Sequence, residues 1–274
     1  NELYIASAQN YKPKDDCAVF NALQDYGIII FIKKYKQDEY NHHVLYYRVN
    51  PRRVLENHNY IGIFNSKNID KLIKKFNILI KTVSPFLPEF DSCNISRIDY
   101  CSNVELNDQA VIDSYINLLK RGYFPSKYTI KKYKNEKSKR NTLSKNGITI
   151  TGNNGIEVTY YNKYRQLKEK NPKCRYIDNS KKIIRIEIRC FKKKVRHLTK
   201  KFKCTSASSF LKESDIIGKY IFKHYANIFY GTGDFYKLTD IYAMIDKSSC
   251  KKNSKKLMKE LVKSSATHSS LDRA

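Results

Sequence analysis

The chain of 274 residues carries 53 Lys+Arg against 26 Asp+Glu, a formal net charge of +27, while 41% of its residues are hydrophobic. That apolar share excludes general disorder, and no apolar run approaches the ~20 residues of a membrane span. Uncompensated positive charge on this scale points to a polyanionic partner, a nucleic acid before any other; a lysine-rich coding bias accounts for Lys in place of Arg but not for so few acids. The seven cysteines are odd in number and form no CxxC pair. They indicate neither a disulfide framework nor a zinc knuckle, so reduced thiols and a cytoplasmic location are expected. Tyr4–Ala8 is too short for the apolar core of a secretory leader.

Residues 1–26 carry weak signals, with Pro13, Asp15 and Asp16 marking a turn. Gly27–Tyr35 is an Ile-rich buried strand, His43–Val49 a second that Asn50-Pro51 stops, and Tyr60–Phe64 a short third. Over 66–84 the period changes: Ile69, Leu72, Ile73, Phe76, Leu79 and Ile80 recur at three and four, an amphipathic helix with Ser66 as N-cap and Pro85 beyond its end. Ile95–Glu105 returns to period two, and Asp108–Arg121 is a helix. Tyr128–Tyr133 is a strand, and Lys131–Lys145 a basic loop that reads equally as a solvated hairpin tip or as a DNA grip through Lys131, Lys132, Lys139 and Arg140. Gly147–Thr151 and Ile156–Asn162 flank Gly152-Asn-Asn-Gly155, a hairpin signal. A short helix follows at Tyr164–Lys170, then the alternating run Ile183–Cys190, a basic helix over 191–203, and helices at about 206–229, 234–246 and 253–264. This order predicts an α+β fold: a central antiparallel β-sheet flanked by helices, with a helical C-terminal unit. The expected division is 1–205 for the α+β domain and 206–274 for a helical region that reads DNA or dimerises. Lys251–Lys259 is a basic cluster there, as fit for gripping phosphate as for plain solvation. A homodimer would suit an inverted-repeat DNA site, although no heptad demands one.

Three of the strands share one design. Ile98, Tyr100 and Val104, Ile156, Val158 and Tyr160, and Ile184, Ile186, Ile188 and Cys190 fall on one side. Arg97, Asp99, Asn103 and Glu105, Glu157 and Tyr161, and Arg185, Glu187 and Arg189 fall on the other. Alternation alone is equally compatible with a solvated sheet face. The polar set, however, is what phosphodiester transfer to a tyrosine requires. A nucleophile must be placed in line, cations must hold phosphate oxygens, and carboxylates can bind Mg²⁺ or Mn²⁺. Parity favours Tyr161 over Tyr160, because Tyr160 shares its side with Ile156 and Val158; a β-bulge would reverse the choice. Lys163, two residues on, is placed to hold phosphate charge or favour the phenolate.

Thr149-Ile-Thr-Gly152, Ile156-Glu-Val-Thr-Tyr-Tyr-Asn-Lys163 and Ile184-Arg-Ile-Glu-Ile-Arg189, with Arg97-Ile-Asp99 ahead of them, resemble the trans-acting Rep class of rolling-circle replication initiators and its conjugative relaxase relatives. The resemblance spans about 95–200. It implies an enzyme that nicks and rejoins one DNA strand at an origin, with a divalent metal and a 5′-phosphotyrosyl intermediate. Tyr161 would be the nucleophile, Asp99 and Glu187 the metal ligands, and Arg97, Arg185 and Lys163 phosphate contacts, with Arg189 beside them. Asn103 stands where the class has a second Asp; Glu105 is the substitute ligand. No His-hydrophobic-His pair is present. The competing readings are a non-catalytic basic nucleic-acid-binding protein and a metal nuclease that spares Tyr161. A tyrosine recombinase fits poorly, since His197-Leu-Thr-Lys200 ends in Lys where Arg is needed.

Overall fold

The computed structural model describes residues 17–37, 40–56, 61–122, 124–134, 141–142, 144, 146–229 and 238–271. The fold is α+β. Its contacts divide into two compact units, 1–229 and 230–274. The expected boundary at 205/206 thus falls inside the first unit, and the helices just after it belong with the sheet.

The first unit opens with an antiparallel three-stranded sheet of β1 (Cys17–Phe20), β2 (Ile28–Gln37) and β3 (Tyr40–Val49), in the order β1-β2-β3. β1 lies in the stretch whose sequence signal is weak. Asn50-Pro51 does more than stop β3. Proline suits the first turn of a helix, where its missing N–H has no bond to lose, and Pro51–Glu56 is helix α1. Helix α2 (Ile69–Val83) follows a 3-10 turn at Ser66–Asn68. Asn65 rather than Ser66 caps that turn, accepting from the Lys67 N–H at 2.9 Å. The period read in the sequence is the buried face of α2: Leu72, Phe76 and Ile80 pack with Ile28, Ile30, Val54 and Leu87. Tyr47 meets Phe76 edge to face at 4.7 Å. Ile61–Phe64, expected as strand, is irregular, and Tyr60 lies outside the described residues.

The second sheet carries the strands singled out above. β4 (Arg97–Glu105), β5 (Tyr128–Ile130), β8 (Gly147–Gly152), β9 (Ile156–Asn162) and β10 (Ile183–Phe191) pair antiparallel in the order β4-β10-β9-β8-β5. The basic loop holds a two-residue ladder between β6 (Tyr133–Lys134) and β7 (Asn141–Thr142); Lys139 and Arg140 lie outside the described residues. Gly155 closes the β8–β9 hairpin at φ 71°, where a Cβ would be strained.

Helix α3 (Gln109–Arg121), capped by Asp108 accepting from the Val111 N–H at 2.9 Å, contributes Ile112 and Ile116 to a cluster with Ile184. α4 (Lys163–Lys170) and α5 (Lys192–Lys201) each start where a strand ends. The helix expected over 206–229 is two, α6 (Ala207–Lys212) and α7 (Ser214–Phe229). α7 sets Tyr225 and Phe229 against Tyr128, and Gly218 against Tyr100. Helices therefore cover one face of the sheet, the face with the aliphatic residues.

The second unit is α8 (Leu238–Lys247) and α9 (Lys252–Leu271). Lys255 and Lys259 reach back from α9 to the Asp246 carbonyl and carboxylate, each at 2.7 Å. No helix among the described residues is long and apolar enough to cross a membrane.

Candidate functional site

Register decides which side chains meet. β10 pairs Arg185 with Asn103, Glu187 with Cys101 and Arg189 with Asp99 on one side. On its other side it pairs Arg185 with Tyr161, Glu187 with Thr159 and Arg189 with Glu157. Directly opposed residues share a face, so the polar residues of three strands assemble on the side away from α3 and α7. Tyr160 pairs with Ile186 and Ile148 on the apolar side and is 2% exposed. Tyr161 is on the polar side; no bulge interrupts β9.

One end of this face is a buried cluster around Tyr161. Its hydroxyl donates to Glu187 Oε1 at 2.5 Å. Burial first, and then the Glu187 charge and hydrogen bond, push the phenol well above its ordinary pKa, while Arg185 pulls the other way. Lys163 is not the next strand residue but the first of α4. Asn162 turns the chain: its side-chain oxygen accepts from the Arg165 N–H at 3.1 Å, and its amide donates to Gln109 Oε1 at 2.8 Å. The turn brings the Lys163 ammonium to 5.9 Å from the centre of the Tyr161 ring, where it also donates to Gln166 Oε1 at 2.9 Å. Burial, and then Arg185, lower the Lys163 ammonium to a pKa of about 8. Cys101, opposite Glu187, is pushed up to about 12 by burial and then by Glu187.

Arg185 is buried and committed. Its Nε donates to Asn103 Oδ1 at 2.8 Å and its Nη2 to the Ile61 carbonyl, which also accepts from Asn103 Nδ2 at 2.8 Å. Asn103 thus serves as a clamp, holding the segment at Ile61 onto the sheet. Gly147, opposite Tyr161, lets β8 and β9 approach closely; a Cβ there would lie 2.7 Å from Tyr161 Cβ.

The other end is an alternating charge ladder. Arg97 grips Asp99 through Nε at 2.8 Å and Nη2 at 2.5 Å, and Arg189 reaches Asp99 Oδ2 at 3.2 Å. Arg189 also donates to Glu157, whose other oxygen accepts from Lys131 at 2.6 Å. Burial alone would raise the Glu157 pKa; the Lys131 and Arg189 hydrogen bonds outweigh it and hold the carboxyl below its ordinary value. Arg97, Arg189 and Lys131, read as phosphate contacts, are therefore engaged with carboxylates. Lys132 is exposed beyond β5.

The expected metal ligands are only partly brought together. Asp99 and Glu187 sit diagonally on neighbouring strands, roughly 7 Å apart at Cβ. Glu105 closes the far end of β4 opposite Ile183, roughly 20 Å from Asp99 at ~3.3 Å per residue. It cannot join Asp99 at one ion. Asp99 has both oxygens taken by guanidinium groups, and Glu187 Oε1 accepts from the Tyr161 hydroxyl. No group of three or more His, Cys, Asp or Glu among the described residues is arranged to hold a metal ion. As they stand, these side chains do not fit a divalent ion.

Some of the cluster has no sequence signature. Gly147 and Thr149 were open to the same parity argument, since they precede the hairpin on β8. The Ile61 carbonyl and the Gln166 amide were not, because contacts from a loop and a helix face carry no period.

Fold and site together define an α+β protein with one polar sheet face built around a tyrosine–carboxylate pair. No protein-family model matches the chain, and no curated protein or solved structure matches it. The resemblance to rolling-circle initiators therefore rests on the motif residues themselves.

Proposed function

We propose that the chain nicks one strand of DNA at an origin and rejoins it, as a rolling-circle replication initiator or a conjugative relaxase of the same kind, with Tyr161 as nucleophile. The observation that carries this reading is the hydrogen bond from the Tyr161 hydroxyl to Glu187, on the face that also holds Arg185 and Lys163. In the proposed step the phenolic oxygen attacks phosphorus and the P–O3′ bond breaks. The phenol proton passes to Glu187. The 5′-phosphate of the fragment downstream of the break stays on Tyr161, and the departing O3′ of the upstream fragment takes a proton. Lys163, with a pKa of about 8, is suited to supply it near neutral pH. Rejoining reverses each transfer. Arg185 is not read here as a phosphate contact: it holds Asn103 and the Ile61 segment. The resemblance implies a divalent metal, but no step here runs through one, because Asp99 is saturated by Arg97 and Arg189.

One observation favours a non-catalytic nucleic-acid-binding protein instead: the Tyr161 proton is held tightly in a buried site. A single assay separates the two. The protein is incubated, with Mg²⁺ or Mn²⁺ and again with chelator, with labelled single-stranded oligonucleotides tiled across the DNA flanking its own coding sequence. The proposal expects a DNA–protein adduct on a denaturing gel that persists in Tyr160→Phe and is lost in Tyr161→Phe. Binding without any adduct under all conditions supports the non-catalytic reading.

A further inference from the structure

On the opposite, helix-covered side of the sheet lies a second concentration of positive charge that the chemistry above does not use. Lys194, His197 and Lys201 recur along one face of α5 at helical spacing, and Tyr220 and His224 recur on α7. Ring contacts tie them together. The Lys201 ammonium stands 3.8 Å from the centre of the Tyr220 ring, which stacks on His224 at 6.0 Å. His224 meets Tyr225 edge to face at 4.9 Å, and Tyr225 meets Tyr128, whose ring lies 5.5 Å from the Lys127 ammonium. Lys127, His197, Lys201 and His224 are exposed.

The informative member is Lys194. It is only 8% exposed, and its ammonium lies 5.4 Å from the centre of the Tyr225 ring, itself 2% exposed. A lysine that buries only its stem keeps the ammonium in water; the Lys194 ammonium stands beside a ring that water hardly reaches. Among the described residues, no carboxylate forms an ion pair with Lys127, Lys194, His197, Lys201 or His224. The ring face attracts the ammonium without neutralising it.

We propose that Lys127, Lys194, His197, Lys201 and His224 form a second phosphate-binding surface, which holds the backbone of duplex DNA on the side of the sheet away from Tyr161. It rests on the proposed function only in taking DNA as the polyanion. His224 bears out the crowding of charge: burial, and then Lys194, Lys127, Lys201 and His197, all lower its pKa, and none of the named causes is an acid. The chemistry suits phosphate rather than bases. Tyr128 and Tyr225 are buried and offer no free face for stacking, so the surface reads charge and is indifferent to sequence.

The test is fluorescence anisotropy with a mixed-sequence 20-base-pair duplex over a series of salt concentrations. Lys127→Ala/Lys201→Ala removes two exposed charges without touching the core, and adding Lys194→Met removes the buried one at nearly constant shape. The triple variant is expected to bind on the order of tenfold or more weakly, with a log–log salt slope shallower by about 2 to 3. The exposed pair alone should give about two-thirds of that slope change. Lys71→Ala/Lys74→Ala, two exposed lysines on α2, is the control for net charge and should change affinity by less than about threefold. Equal losses in the α2 control and the exposed pair would overturn the proposal. So would unchanged DNA binding together with lost binding to phosphatidylserine vesicles. Tyr161→Phe should bind the duplex like the parent protein. A missing covalent adduct therefore counts against the nucleophile alone, and an unchanged salt slope counts against this surface alone.

Discussion

The two ends of one sheet face are built from the same alternation, on the same strands, and have opposite electrostatic characters. At the Asp99 end every charge has a partner: Arg97, Asp99, Arg189, Glu157 and Lys131 alternate in sign across β4, β10, β9 and the strand edge. At the Tyr161 end the groups are buried and their protonation equilibria are displaced from the ordinary values. A phenol keeps its proton against a carboxylate, and an ammonium sits beside a guanidinium. A ladder of paired charges is a structural device. Perturbed groups in a water-poor pocket are what acid–base chemistry needs. The difference teaches that residue type and parity place side chains on a face, while burial and partner decide which of them have chemistry left to do.

The comparison breaks most sharply at Glu187. Glu187→Gln keeps the shape and a hydrogen-bond acceptor for Tyr161 but removes the proton acceptor. Adduct formation should fall by roughly 10²–10⁴-fold with the thermal midpoint little changed. An unchanged rate in single-turnover nicking would remove Glu187 from the chemistry.

The ladder should fail in stability rather than rate. Glu157→Ala takes a carboxylate away from Lys131 and from Arg189, which keeps Asp99, and because both cations still reach solvent the loss should be about 1–3 kcal/mol in urea unfolding. Glu157 has a lowered folded-state pKa. Its contribution is therefore complete above the unfolded value of 4.5 and disappears as pH falls through the lower folded value. The acid limb of the parent protein's stability curve should flatten in the variant.

Lys163 gives a smaller effect of opposite sign. Its folded pKa of about 8 lies below the ordinary 10.5, so between those values the unfolded chain binds more protons and stability rises with pH. Lys163→Met should stabilise the protein by about 1–2 kcal/mol at pH 7, and the difference from the parent should shrink between pH 8 and 10.5. A variant less stable than the parent at pH 7 would show that the ammonium is held by its Gln166 hydrogen bond and the Glu187 charge rather than strained.

Much of this face was legible in the sequence because period two is a local property. Asp99, Glu157, Tyr161, Arg185, Glu187 and Arg189 announce their side from neighbours one residue away. The ion pairs were not legible, since they depend on register between strands far apart in the chain. Nothing in the pattern distinguished a free Arg185 from one spent on the Ile61 carbonyl. Likewise Lys163 read as strand, yet Asn162, the last residue of β9, caps α4 with its side chain and turns the chain there. Glu105 failed as a ligand for a metric reason, since sharing a face says nothing of distance along a strand.

The central claim is that one phenolic oxygen takes the DNA strand. Its most direct test is tandem mass spectrometry of the adduct after nuclease and trypsin digestion, which releases Asn146–Lys163 with both adjacent tyrosines. The account predicts a nucleotide-derived phosphate on Tyr161 with Tyr160 unmodified; the phosphate on Tyr160, or on a tyrosine outside this peptide, would contradict it.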